Sequence, residues 1–124
     1  MQTCDHTKLI FNLKGQDERY QRLKDDLENG RGDPFVVSYL MLQYGPKALK
    51  PLVKGLICPV IEMRIQCIEC LVKLGDFRAV NPMIQMFSDT ANESFFFDIR
   101  EAIGQQCIWE NMEPVYADII QQGQ

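Results

Sequence analysis

The chain contains one pair of cysteines at the spacing of a metal or redox site. Cys67 and Cys70 form a Cys-x-x-Cys motif, and Cys4, Cys58 and Cys107 stand elsewhere. Such a pair can bind zinc or take part in thiol–disulfide exchange. Both residues fall, however, on the apolar stripe of a helical pattern, where a free cysteine packs as a small hydrophobic side chain. We therefore expect the pair to lie in the core, and we expect neither a metal nor another cofactor.

The only histidine is His6, near the start of the chain. A Ser–His or Cys–His catalytic pair would require this terminal segment to fold onto a nucleophile, and terminal residues are usually untethered. None of Ser38, Ser88 and Ser94 lies in a nucleophile-elbow or phosphate-loop motif. The sequence thus predicts no catalytic residue, and we expect that the protein is not an enzyme.

The composition is that of one globular domain spanning residues 1–124. Hydrophobic residues make up 46% and charged residues 24%, and the formal net charge is −4. Residues 1–62 hold nine Lys and Arg and eight Asp and Glu, whereas residues 63–124 hold four and nine. The acidic second half disfavours a nucleic-acid partner, because phosphate binding requires clustered basic charge.

The sequence also bears on the compartment of the protein. No run approaches the ~18 apolar residues of a membrane span, so no membrane partner is expected. The five cysteines are an odd number, and no signal-like apolar segment precedes them. These features favour reduced thiols and a cytoplasmic protein.

Two helical patterns recur together at intervals of about 31 residues. The second-helix pattern, residues 46–56, aligns with 77–87 after a shift of 31 positions and with 109–119 after a further 32. Its apolar positions recur at helical spacing: Leu49/Val80/Met112, Leu52/Met83/Val115, Val53/Ile84/Tyr116 and Leu56/Phe87/Ile119.

Prolines occupy one position in all three copies, at Pro51, Pro82 and Pro114. A proline deep in a helix removes a hydrogen bond and clashes with the preceding turn, but near a helix start it is harmless. Either each second helix begins late, near residues 50, 81 and 113, or it opens with a bent first turn. The sequence leaves both alternatives open.

The first-helix pattern, residues 35–45, recurs at 65–75 and 97–107. The positions expected to face inward are Phe35/Ile65/Phe97, Val37/Cys67/Ile99, Leu40/Cys70/Ala102 and Met41/Leu71/Ile103. The two helices are separated by Gly45-Pro46 in the first copy and by Gly75-Asp76 in the second. Glycine suits the left-handed end of a helix, and Asp76 can cap the next one. In the third copy, Cys107 stands where the glycine is expected.

The segment RIQCIECLVKLGDFRAVNPMIQMF, residues 64–87, resembles the HEAT-like repeats of the phycocyanobilin lyase type. It shares their basic residue, apolar first helix, Leu-Gly-Asp turn, basic-Ala-Val tripeptide, proline and apolar second helix. The resemblance implies an all-α fold, a short right-handed α-solenoid of about three HEAT-like helical hairpins at 34–57, 60–88 and 91–121. Residues 1–30 would form an N-terminal capping helix with Tyr20, Leu23 and Leu27 on one stripe.

In solenoids that this chain resembles, the second helices typically line the concave surface. Their polar positions would then form a surface that runs from basic through neutral to acidic, and such a gradient can orient a partner. The alternative is an ordinary solvated helix face. The candidate partner-binding residues are Lys47, Lys50, Lys54, Arg78, Asn81, Gln85, Glu110 and Glu113.

The repeat pattern favours a protein-binding module: a small cytosolic adaptor, chaperone-like subunit or inhibitor that holds another protein on its concave face. The resemblance offers a bilin (tetrapyrrole) lyase, or a subunit of one, as the alternative, although the repeat occurs in many unrelated proteins. Nucleic-acid binding is a third hypothesis, which the acidic second half disfavours. Because the last predicted helix carries Val115, Tyr116, Ile119 and Ile120, we also expect either a homodimer through this helix or a longer solenoid.

Overall fold

The computed structural model describes the backbone of residues 2–109 and the side chains of residues 17–106. Within this range the chain is helical and has no β-strand, which confirms the all-α class. The helices are α1 (Gln2–Asn29), α2 (Pro34–Leu42), α3 (Leu49–Gly55), α4 (Ile61–Leu74), α5 (Val80–Gln85) and α6 (Phe96–Trp109). Short 3-10 turns lie at Gly45–Ala48, Phe77–Ala79, Met86–Ser88 and Thr90–Phe95. None of the described helices is both long enough and apolar enough to cross a membrane.

The helix ends follow local sequence chemistry. Asp33 caps α2 by accepting hydrogen bonds from the N–H groups of Phe35 and Val36, at 2.9 and 3.2 Å. Gly75 ends α4 in the left-handed region, with φ at 74°. Asp76 then accepts from the N–H of Arg78 at 3.0 Å and begins the next helical segment. The predicted break and cap at residues 75 and 76 are confirmed.

In both described second helices, a short 3-10 turn comes first and the α-helix begins after it. The helix therefore both opens with a bent first turn and begins late, which combines the two alternatives for the proline position. In the first copy the Gly45–Ala48 turn precedes α3, which begins at Leu49. In the second copy the Phe77–Ala79 turn precedes α5, which begins at Val80. Pro51 and Pro82 are therefore the third residues of their α-helices, where the N–H has no intrahelical partner, so the ring costs no helical hydrogen bond.

The third copy differs from the predicted pattern. Helix α6 runs without interruption from Phe96 through Cys107 to Trp109, so the prediction of a break at Cys107 is wrong. Cysteine has a Cβ and lacks the freedom of glycine to end a helix in the left-handed region. The predicted second helix of this copy falls within residues 110–124, outside the described residues.

Helices α1 and α3 lie side by side in the same direction. The Tyr20 hydroxyl donates to the carbonyl of Lys47, just before α3, at 2.8 Å. Glu28 Oε1 lies 3.4 Å from Lys54 Nζ, near the ends of the two helices. Leu23 and Leu27 on α1 are buried and Tyr20 is half-buried, so the predicted apolar stripe of the N-terminal helix is confirmed.

Helices α4 and α6 also lie parallel, and polar side chains join α4 at one end to the turn before α6 and at the other end to α6 itself. At the start of α4, Arg64 Nη1 donates to Asn92 Oδ1 at 2.8 Å. Near the end of α4, Gln106 Nε2 donates to the carbonyls of Leu71 and Val72, each at 3.3 Å. Both carbonyls lie in the last turn of α4, and that of Leu71 also accepts from the N–H of Gly75 at 3.1 Å.

One of the predicted inward positions is wrong. Phe35 is 56% exposed and Phe97 65% exposed, whereas the predicted core positions Val37 and Ile99 are buried. Residues two apart on a helix project in nearly opposite directions, so Phe35 and Phe97 could not face inward together with Val37 and Ile99. The largest fully buried apolar side chains are Leu27, Met41, Leu52, Leu56, Met63, Leu71, Met83, Ile99 and Ile103.

Arg64 is a buried cation, 9% exposed, that joins three segments. Its Nε donates to the carbonyl of Cys58, and its Nη1 donates to Asn92 and to Asp89 Oδ2, the latter at 3.1 Å. The N–H of Ala91 and the Arg64 guanidinium together hold the pKa of Asp89 below its ordinary value. Arg64 thus fixes the start of α4 against the segments that precede α4 and α6.

Replacing Arg64 with methionine should lower the free energy of unfolding by about 3 kcal/mol, because buried oxygens of Cys58 and Asn92 lose a charged donor. Denaturant titration followed by circular dichroism measures the change. Arg78→Met is the matched control, since Arg78 pairs with Asp76 at the surface and its loss should change little. Equal losses in the two variants would contradict the role given to Arg64.

A second prediction concerns Gly55, where α3 approaches α4. A Cβ built on this glycine would overlap the Sγ atom of Cys67. We expect Gly55→Ala to destabilise the fold by about 1–3 kcal/mol, and a further Cys67→Ala change to relieve part of that loss. Gly15→Ala, in α1 with no atom within 4 Å of the added Cβ, should instead stabilise by up to about 1 kcal/mol. Thermal and denaturant unfolding measure the stability of each variant. Equal changes in stability for Gly55→Ala and Gly15→Ala would contradict the close approach of α3 to α4.

Candidate functional site

The three lysines predicted for the basic end of the site are exposed side chains on one side of a helical segment. Lys47 lies in the Gly45–Ala48 turn, and Lys50 and Lys54 follow in α3. Spacings of three and four residues place them along one side, and we call this set the lysine row. Their exposure makes all three ammonium groups accessible to a partner.

The lysine row borders α1, which the sequence did not indicate. Lys47 Nζ lies 5.5 Å from the centroid of the Tyr20 ring, a cation–π distance, and Lys54 pairs with Glu28. Tyr20 and Lys47 are 27 residues apart, so no helical spacing relates them. The contacts with α1 limit the freedom of two of these side chains.

The next predicted residues, Arg78, Asn81 and Gln85, are exposed in the Phe77–Ala79 turn and α5. Arg78 Nη2 lies 2.6 Å from Asp76 Oδ2, and its hydrogen bonds hold the pKa of Asp76 below the ordinary value. The charge of Arg78 is therefore partly balanced within its own turn.

The predicted acidic end of the site, Glu110 and Glu113, lies outside the described residues. The described part of the site thus consists of the lysine row, beside α1, and of Arg78, Asn81 and Gln85 on the α5 segment. The gradient from basic to acidic stays a prediction.

The cysteines proposed as core residues are buried. Cys67 is 0% and Cys70 3% exposed, and Cys58 lies in the same core, which confirms the prediction. Burial raises the pKa of the Cys67 thiol well above its ordinary value, and the nearby Cys70 and Cys58 add to this. The Cys67 thiol therefore stays protonated at neutral pH and is a poor nucleophile and metal ligand. Among the described residues, no group of three or more His, Cys, Asp and Glu side chains is placed to hold a metal ion.

Sequence reasoning missed a set of exposed apolar residues on the first helices. Phe35 and Tyr39 stack on the surface of α2 with ring centroids 5.8 Å apart, and Lys73 Nζ lies 5.6 Å from the Tyr39 centroid. Phe97 projects from α6 with 65% of its surface exposed. A helical wheel of each segment could have identified these exposed residues, because they fall outside the stripe that contains Val37 and Ile99.

Beside Phe97, a groove of about 340 Å³ runs between α4 and α6. We call it the α4–α6 groove. Its described lining is Ile65, Ile68, Glu69, Val72 and Lys73 from α4 and Phe97, Asp98, Glu101, Ala102 and Gln105 from α6. The side chains at its base are mainly apolar, and carboxylates stand along its edges.

Comparison of the chain with protein-family models, with curated proteins and with solved structures gave no significant match.

The buried thiols lead to a prediction about reactivity. Native Cys67 should react with iodoacetamide at pH 8 about 100-fold more slowly than in urea, because the protonated, buried thiol must wait for local opening. Mass spectrometry of the peptide that contains it measures the rate. A cysteine introduced at exposed Ser88 is the control and should react fast in the native protein. Comparable native rates at the two positions would contradict the burial of Cys67.

Proposed function

We propose that the protein is a short α-solenoid of HEAT-like hairpins that binds another protein along its second helices. The parallel directions of α1 and α3, and of α4 and α6, support this proposal. In a stack of helical hairpins, the second helices of neighbouring hairpins lie side by side and run in the same direction, and so do the first helices. Helix α4 also packs against both helices of the preceding copy, α2 and α3.

In such a stack, α1 takes the place of a second helix from a preceding hairpin. It packs against α2 and α3, much as α3 packs against α4 and α5 packs against α6. The second-helix surface would then consist of α1, α3 and α5 in order. The lysine row on α3 would lie near the centre of this surface, with α1 contributing to the binding face rather than only covering the core.

The observation that carries the binding proposal is the lysine row itself. Three exposed ammonium groups stand in line, and contacts with Tyr20 and Glu28 hold two of them. Side chains that are already ordered lose less entropy when a partner binds. A row of this kind suits an acidic segment of a partner protein, which it would attract and orient. A small cytosolic adaptor, chaperone-like subunit or inhibitor would use its surface in this way.

Reversing the lysine row tests the proposal. The triple variant Lys47→Glu, Lys50→Glu, Lys54→Glu should bind the partner about tenfold or more weakly, because like charges would then face each other across the interface. The partner is first identified by affinity purification from the native host with mass spectrometry. Calorimetry with that purified protein then measures the dissociation constant of each variant.

A charge-matched control separates a specific site from general attraction. Arg31 and Lys73 are exposed and lie outside α1, α3 and α5, and their reversal to glutamate changes the net charge by as much as the comparison variant Lys47→Glu, Lys50→Glu. This control should bind within a few-fold of the unaltered protein. Unchanged affinity in the lysine variant, or an equal loss in the control, would overturn the assignment of the site to the second helices.

A further inference from the structure

The α4–α6 groove combines an apolar base with an acidic edge. Ile65, Ile68 and Val72 from α4 and Ala102 from α6 provide the apolar base. Phe97, largely exposed, stands beside it and extends the apolar surface toward solvent. A continuous exposed apolar surface of this kind, bordered by charged residues, is typical of an interaction site.

The charges around the groove have one predominant sign. Glu69, Asp98 and Glu101 line it and are exposed. Of the described lining residues, Lys73 alone is basic, and its ammonium group lies 5.6 Å from the centroid of the Tyr39 ring of α2. The edge therefore favours a ligand with positive charge, and the base favours one with apolar side chains.

The dimensions of the groove suit a short helix. Its α4 edge runs from Ile65 to Lys73 and its α6 edge from Phe97 to Gln105, which is about two helical turns or roughly 12 Å on each side. Two turns of an amphipathic helix present apolar side chains at positions i, i+3 or i+4, and i+7 to a groove between two helices. Basic residues beside that stripe would reach the carboxylates at the edge.

The groove is separate from the lysine row. On α4, Cys67 faces Gly55 of α3, as the close approach of these residues shows. Ile65, Glu69 and Val72 are each about 140–160° around the helix from Cys67 at 100° per residue, so the groove lies on the side of α4 away from α3. A ligand in the groove and a partner on the lysine row would therefore occupy different faces.

We propose that the α4–α6 groove binds a basic amphipathic helix of another protein, with Phe97 as the apolar anchor and the edge carboxylates pairing with Lys or Arg. A second copy of this chain is the less suitable occupant among the described surfaces. The lysine row supplies positive charge, but the apolar residues of the same segment, Leu52 and Leu56, are buried in the core. That segment could not fill the apolar base without unfolding.

The probe for this site is a synthetic peptide of leucine and lysine at amphipathic helical spacing, labelled with a fluorophore. Anisotropy titration with the full chain gives its dissociation constant. Phe97→Ser and the pair Glu69→Lys, Glu101→Lys should each weaken binding about tenfold or more. All three residues are exposed, so these variants should fold, and circular dichroism verifies this.

Matched controls test whether binding occurs in the groove. Ile57→Ser removes an apolar residue that is 78% exposed outside the groove, and Glu18→Lys with Asp25→Lys reverses two exposed carboxylates of α1. Both controls should bind within a few-fold of the unaltered chain, and the lysine-row triple variant should not bind more weakly. The lysine-row variant should lose affinity for the partner of the proposed function but not for this peptide. The two proposals can therefore fail independently.

Three results would overturn the proposal. The first is a failure of the leucine–lysine peptide to bind the unaltered chain better than the same peptide with glutamate in place of lysine. The second is an equal loss of binding in the groove variants and their controls. The third is a dimer in sedimentation that Phe97→Ser dissociates, which would assign the groove to a second copy of the chain.

Discussion

The arrangement of the helices depends on the polar contacts at the two ends of α4. Buried helix termini leave N–H and C=O groups that need partners. At the first turn, Arg64 binds the carbonyl of Cys58 and the side chain of Asn92, so it links the segments that follow α3 and precede α6. At the last turn, Gln106 binds the carbonyl of Val72. Because α4 packs against α2, α3 and α6, these contacts fix the alignment of those three helices around it.

The helices and their ends could be predicted from the sequence because both are set by short-range chemistry. Asp33 and Asp76 accept hydrogen bonds from N–H groups two or three residues away, and Gly75 ends a helix through its own backbone freedom. The exposure of Lys50 and Lys54 also follows from helical spacing alone. For the candidate site, the sequence could therefore identify which residues are accessible on α3 and α5, although not what lies beside them.

The features that could not be predicted depend on contacts between distant segments. Asp89 and Asn92 lie 25 and 28 residues from Arg64, which in the sequence is only the basic residue of a repeat motif. The wrong predictions for Phe97 and Cys107 have a different origin. The break at Cys107 was carried over from the copies that end in glycine, whereas Phe97, like Phe35, was placed inward together with a residue two positions away that projects in nearly the opposite direction.

The differences between copies also explain why the groove opens where it does. On α2, Phe35 and Tyr39 stack, and the ammonium group of Lys73 on α4 lies 5.6 Å from the centroid of the Tyr39 ring, so aromatic rings and a lysine stand beside the α2–α4 contact. Thirty positions later, the equivalent residues of α4 are Ile65 and Glu69. These side chains fill less space and add a negative charge beside α6. Because neither position belongs to the fully buried stripe that holds the helices together, the surface between neighbouring helices can change from aromatic and basic to apolar and acidic while the core packing is kept.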